Sequence, residues 1–226
     1  MKFFTKLLFL MTLFTLSNVV QAAVILSATR LIYPGDKKEI LLNVINSEQQ
    51  PYLVQAKIKN STEGGGNPPF IITPPLFRLD GGQQNTLRVV RAGGNLPTDK
   101  ESLYWLGVKS IASSTKNDNQ SQVNIALTTN IKLIYRPEGV KGMPEDVAGK
   151  LTWQRKGNQL QVTNPTPFYM NFNEVKVAGK EVKDVTYVAP GSTVNFTLPA
   201  GVNAGSVTWK IISDYGSVGQ VHSATL

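Results

Sequence analysis

Hydrophobic and polar residues alternate with period two along most of the chain, and this pattern predicts short β-strands. "EILLNVIN" places Ile40, Leu42 and Val44 on one face, and "PYLVQAKIKN" gives a further strand from Tyr52 to Lys59. "FIITPP" and "LFRLD" read as two short strands around a double proline, followed by the strand "NTLRVVRA". In "SLYWLGVKSIA" Leu103, Trp105 and Gly107 share one face and Tyr104, Leu106 and Val108 the other, so both faces are expected to be covered. Ala23–Leu31 alternates loosely as one strand and runs to a turn at Tyr33-Pro34-Gly35-Asp36. "STEGGGNPP" reads as a hairpin loop. No amphipathic helix of ordinary length is evident.

The longest alternating stretch is "VNIALTTNIKLIYRP", Val123–Pro137. One face carries Val123, Ile125, Leu127, Thr129, Ile131, Leu133 and Tyr135, and the other carries Asn124, Ala126, Thr128, Asn130, Lys132, Ile134 and Arg136. It follows the polar loop "SSTKNDNQSQ", a poor cover for an apolar stripe. What Val123, Ile125 and Leu127 pack against is therefore an open question at this level.

After Pro137, "EGVKGMPEDVAGK" is rich in Gly, Pro and charge and reads as a linker or domain edge. A second β-region runs from Lys150 to Leu226. Seven or so short strands in about a hundred residues, punctuated by Gly and Pro, indicate an immunoglobulin-like sandwich. The chain thus reads as all-β, with two such sandwiches in tandem: residues 23–140 and 141–226.

Residues 1–22 do not belong to that pattern. Lys2 and Lys6 precede an apolar run from Leu7 to about Leu16, and Val20-Gln21-Ala22 ends it with small residues, as a secretory signal peptide does. The run is too short for a membrane span, and no later stretch supplies one, so no membrane insertion is expected. Cleavage after Ala22 removes two lysines and takes the net charge from +8 to +6. The remaining basic residues are scattered and interleaved with acid, as in "DKKE", which argues against a nucleic-acid surface.

There is no cysteine, so an exported chain would be held together by packing and not by disulfides. With a single histidine, His222, neither an ordinary zinc site nor a His-dependent nucleophilic site is expected. The three glycines of "STEGGGN" are not followed by Gly-Lys-Ser/Thr and make no phosphate cradle. No cofactor, metal or catalytic residue is expected.

Several segments resemble the PapD-like periplasmic chaperones of the chaperone–usher pilus pathway. "TNIKLIYRP" resembles that family's G1 strand, "PPLFRLDGGQQNTLRVV" its Pro-hydrophobic-Arg-Leu segment, "DKESLYWLGVKSI" its F1 strand, and "NPTPFYM" and "ISDYG" two motifs of its second domain. The similarity runs from about Ala23 to Tyr215. It implies two domains set in an L shape with a cleft between them. The F1–G1 loop, about Ala112 to Gln122, is short and lacks the cysteine pair common in the long-loop branch, which places the chain with the short-loop branch.

Carried over residue by residue, the resemblance gives Arg30 and Lys132 as cleft cations that bind the terminal carboxylate of a pilus subunit. It gives Val123, Ile125 and Leu127 as the alternating residues inserted into a subunit that lacks its last strand. Glu101, Arg136 and Asp214 match an interdomain charge cluster, and Thr73-Pro74 stands where the family tends to have a cis proline. Lys132 has the opposite parity to Val123; either cleft and donor face differ, or a bulge at Thr128–Asn130 shifts the phase.

The implied function is periplasmic: a non-enzymatic chaperone that folds and caps pilus subunits by donating a strand and delivers them to an outer-membrane usher. An exposed apolar edge also suggests self-association when no client is bound. The competing reading is a secreted immunoglobulin-like adhesin or carbohydrate-binding module using Trp153, Phe168, Tyr169 and Tyr215. A hydrolase built on Glu145-Asp146 is disfavoured, because nothing in a linker excludes water.

Overall fold

The structure is a computed structural model that describes residues 24–64, 66–113, 125–202 and 204–226. The segment read as a leader, most of the loop read as F1–G1, and Val123 lie outside the described residues.

In chain order the first domain comprises β1 (Val24–Leu26), β2 (Arg30–Pro34), β3 (Glu39–Asn46), β4 (Tyr52–Lys59), β5 (Phe70–Thr73), β6 (Leu76–Leu79), β7 (Gln84–Arg91), β8 (Ser102–Ala112) and β9 (Ala126–Arg136). They form two facing sheets of order β1-β3-β7-β5 and β2-β9-β8-β4-β6. Alternation dictates which residues lie between them: Leu42, Val44, Val54, Leu87, Val89, Leu106 and Leu133 are all buried. Tyr33 belongs to the same core, its hydroxyl donating to Lys38 O and accepting from Arg91 N.

Two expectations change here. Ala23–Leu31 is not one strand: the chain breaks at Ser27-Ala28-Thr29, and β1 pairs with β3 in one sheet while β2 pairs with β9 in the other. Alternation alone cannot show that a strand changes sheets, since the inward side stays inward on both. "STEGGGNPP" is likewise a crossover, not a hairpin, because β4 and β5 lie in opposite sheets. The chain switches sheets again at Thr73-Pro74-Pro75, where the Thr73-Pro74 bond is cis.

The second domain comprises β10 (Thr152–Lys156), β11 (Gln159–Thr163), β12 (Met170–Val177), β13 (Lys180–Glu181), β14 (Tyr187–Val188), β15 (Thr193–Thr197), β16 (Ser206–Ile211) and β17 (His222–Thr225). Its sheets are β10-β11-β15 and β13-β12-β16-β17, with β14 also pairing to β12. Trp153, Phe172, Phe196 and Trp209 interlock between them, with Trp153 and Trp209 ring centres 5.3 Å apart. His222 stacks on Trp209. The linker is ordered: α1 (Pro144–Val147) is a single turn whose Asp146 carboxylate accepts the Met143 N–H.

Each domain is pinned by one fully buried asparagine. Asn46 Nδ2 donates to the carbonyls of Gln50, Leu79 and Asp80, and its Oδ1 accepts from Glu48 N. Asn164 repeats the pattern with Phe168, Val188 and Ala189, its Oδ1 accepting from Thr166 N. The first knot is tight enough to require glycine at 81, where a Cβ would stand 2.2 Å from Gln49 O. In a chain without cysteine these knots tie loop to loop, a tie that disulfides supply in many small domains.

Candidate functional site

β9 is the element on which the site is built. It pairs with β8 from Ser102↔Tyr135 to Ile111↔Ala126 with no register shift, so the bulge considered at Thr128–Asn130 is absent and the two faces keep their phase. β2 covers the other edge of β9 only from Lys132 to Arg136. Upstream of that, Ala126–Ile131 has a ladder partner on one side alone among the described residues.

The side chains follow the same division. Ile131, Leu133 and Tyr135 point into the sandwich core and are buried. Leu127 and Ile125 share their parity but run past the end of the core, and they are 60% and 69% exposed. The stripe is therefore one continuous face whose first half is exposed and has no cover among the described residues. Lys132 belongs to the opposite face, which turns toward the second domain.

Arg30 and Lys132 are register partners in the parallel β2–β9 pair, so both project from the same side of the sheet. Their side chains line adjoining clefts. Arg30 borders one of about 500 Å³ with Arg136, Met143, Asp214 and Tyr215. Lys132 borders one of about 700 Å³ with Asn60, Trp105, Tyr169 and Tyr187. Arg30 NH1 makes a long contact of 3.4 Å to Ile212 O, and its Nε is buried without an acceptor. Burial lowers the Arg30 pKa, opposed by Asp214 and Glu145. Burial, reinforced by the Arg30 charge, pushes the Lys132 ammonium down to about 8. Lys132 Nζ donates to Asn171 Oδ1 and sits 4.5 Å from the Tyr187 ring centre. Two partly desolvated cations thus lie side by side, and no carboxylate bonds directly to either among the described residues.

Glu101, Arg136 and Asp214 do meet. Arg136 donates in bidentate fashion to Asp214 at 2.7 and 2.9 Å, and its Nε donates to Glu101 Oε1 at 2.8 Å. The other Glu101 oxygen accepts the Tyr169 N–H of the second domain at 2.6 Å. All three side chains are largely buried, at 14%, 1% and 12% exposure for Arg136, Glu101 and Asp214. Burial pushes the Glu101 carboxyl up to about 7 against the pull of Arg136 and the Tyr169 N–H. For Arg136, burial acts to lower the pKa, but the bonds and charges of Asp214 and Glu101 outweigh it and raise it.

Of the aromatics that an adhesin would use, Trp153 and Phe168 are core residues and Tyr169 is half-buried, which leaves only Tyr215 exposed. Asn171 and Tyr187 were not singled out by sequence. The one sign was an asparagine within the apolar run Met170-Asn171-Phe172, all buried.

Residues 23–141 match the family described as "Pili and flagellar-assembly chaperone, PapD N-terminal domain", and residues 146–223 match "Pili assembly chaperone PapD, C-terminal domain". The chain belongs to the PapD family of pilus-assembly chaperones. The chaperone is 41% identical over 214 residues to chaperone protein AggD of Escherichia coli, covering 89% of this chain and 84% of that one. It is 42% identical over 214 residues to the probable fimbrial chaperone LpfB of Escherichia coli O157:H7, covering 93% and 92%. Among solved structures, SafB of Salmonella enterica, in complex with the SafA pilin, matches with TM-score 0.85 and 39% identity over 91% of this chain and 97% of that one. Escherichia coli DraB matches with TM-score 0.80 and 44% identity over 90% and 96%. The family consists of assembly factors and not enzymes, and the two-sandwich fold is the family's.

Proposed function

We propose that this chaperone captures pilus subunits in the periplasm by lending them the first half of β9, anchors the terminal carboxylate of each at Arg30 and Lys132, and hands the capped client to an outer-membrane usher. The observation that carries the reading is the uncovered half-strand: an apolar stripe continuous with the core, exposed at Ile125 and Leu127, beside a backbone edge with one ladder partner. Such an edge accepts an incoming strand through its free N–H and C=O groups, and its alternate side chains fill pockets of the client. Val123 lies outside the described residues; in sequence it continues the same period-two spacing.

The cation pair supports the second part. A carboxylate offers acceptors to the Lys132 ammonium and to the guanidinium of Arg30, whose Nε is unpartnered, and it brings one counter-charge to two neighbouring cations that burial makes unfavourable. With a chain end fixed there, the register of the strand preceding it is fixed too. The Glu101–Arg136–Asp214 cluster begins four residues further along β9 and ties strand to second domain, which suits it to hold the domains at a set angle. The leader 1–22 would direct export, and the domains would divide as 23–140 and 141–226. Left empty, the same edge would favour pairing of two chaperone molecules.

The test is periplasmic co-expression with a pilus subunit from the same gene cluster, followed by size exclusion. A stable 1:1 complex is expected, with the pilus subunit insoluble or degraded when expressed alone. A pilus subunit that is equally soluble alone and never co-elutes would overturn the reading.

A further inference from the structure

We propose that Asn171 and Tyr187 of the second domain are positioning residues for Lys132, so that the carboxylate site is completed across the interdomain cleft and not by β2 and β9 alone. The inference rests on the anchoring role proposed for Lys132 and adds to it. Lys132 leaves β9 on the face directed at the second domain, where Asn171 Oδ1 accepts its ammonium and the Tyr187 ring lies 4.5 Å from Nζ. Trp105, its register partner on β8, lies further off at 5.9 Å. Asn171 and Tyr187 are themselves paired across β12 and β14, which sets their spacing independently of the lysine. Asn171 is buried, which restricts its amide to this arrangement. Tyr187 packs on Tyr169, whose N–H is held by Glu101.

The chemistry of this cage is selective. A neutral amide oxygen and a ring face hold a cation in place without neutralising it. The ammonium keeps its full charge for an anion, but it is confined to one spot on the cleft wall. A carboxylate arriving from a client can add to the ammonium's remaining donors or displace the amide oxygen. An aspartate at 171 would instead supply that carboxylate from within and occupy the site permanently.

The experiment measures binding of two versions of a peptide with the sequence of a pilus protein's C-terminus, one ending in a free carboxylate and one in an amide. Wild type should prefer the free acid; if it does not, the anchoring reading fails before the cage is tested. Given that preference, Tyr187→Leu should weaken free-acid binding about two- to thirty-fold and leave amide binding unchanged. It should also lower the titration midpoint of the Lys132 side chain followed by NMR. Tyr187→Phe, which keeps the ring face, should restore both. Asn171→Asp should bring the acid-to-amide preference close to one and raise the Lys132 midpoint. Circular dichroism checks that each variant is folded. Where a variant loses its fold, Lys132 titration in the folded Phe and Leu pair decides. The proposal is overturned if Tyr187→Leu weakens acid and amide alike with the midpoint unmoved, or if Asn171→Asp keeps the wild-type preference.

Discussion

Arg30 and Lys132 stand opposite one another in the β2–β9 pair, the one parallel pairing among the described strands. That relationship places two cations from residues about a hundred apart in sequence on one face of one sheet, at the boundary with the second domain. Lys132→Ala and Arg30→Ala should therefore give folded proteins that fail to hold a pilus subunit. Losing one partner of a desolvated charged contact costs about 2–5 kcal/mol, tens- to thousands-fold in affinity. Circular dichroism with a pull-down of the client separates the two effects. Because Lys132 lies beside a like charge, its replacement should not lower Tm.

Capture of the client should depend on pH through Lys132. In the empty chaperone this lysine releases its proton near 8, against an ordinary value of 10.5. Between those values the unfolded chain binds more protons than the folded one, so the lysine's contribution makes the empty protein more stable as pH rises through that window. A bound carboxylate favours the protonated form. Affinity should thus be full below about 8 and fall above it, by up to about tenfold per pH unit. Calorimetry of peptide binding from pH 6.5 to 9.5 checks this. Lys132→Arg, which stays charged throughout, should flatten the profile.

Arg136→Ala should act on stability and domain orientation and not on the donor edge. It strips Asp214 of two bonds and Glu101 of one in a largely buried setting, which costs roughly 3–5 kcal/mol when the surviving charges stay buried. The expected outcome is a lower Tm and a broader small-angle scattering profile, with Ile125 and Leu127 still able to engage a client. An unchanged Tm and profile would show that the cluster does not couple the domains.

The asparagine knots should be the costliest single polar positions of each sandwich. Asn46→Ala leaves three carbonyls and the Glu48 N–H to find new partners, at about 1–3 kcal/mol for each that stays buried and unpaired. For a domain of this size each kcal/mol lowers Tm by roughly 4–8 °C. Asn164→Ala should do the same in the second domain. Differential scanning calorimetry that resolves two transitions should show each substitution moving its own domain's transition more.

Much of this was legible in the alternation. Ile40, Leu42 and Val44, or Leu133 and Tyr135, declare their inward face by spacing alone, and Gly and Pro mark where strands end. Sheet membership was not legible. At Ser27-Ala28-Thr29 and at Thr73-Pro74-Pro75 the chain moves from one sheet to the other while its inward residues stay inward, so the pattern reads as continuous. Of the site, Arg30, Lys132 and Arg136 came from the resemblance to the family's motifs and not from alternation, which by itself reads them as surface cations. Asn171 and Tyr187 were not, since their relation to Lys132 exists only once two separately folded sandwiches meet. The buried Asn46 and Asn164 look like ordinary turn residues in sequence; their four-way bonding is a property of the closed loops.

The central claim is strand donation from the uncovered half of β9, and its most direct measurement is an aspartate scan of positions 125 to 128, reading Tm and client capture for each variant. Burying an isoleucine or leucine side chain in a client is worth about 1.5–3 kcal/mol, and a buried aspartate forfeits that and adds a desolvation cost. Ile125→Asp and Leu127→Asp should abolish capture while keeping Tm near wild type, because both side chains are exposed in the empty chaperone. Ala126→Asp and Thr128→Asp, on the other face, should capture the client with affinity close to wild type. Unfolding of the 125 and 127 variants, or equal loss of capture at odd and even positions, would contradict donation from this strand.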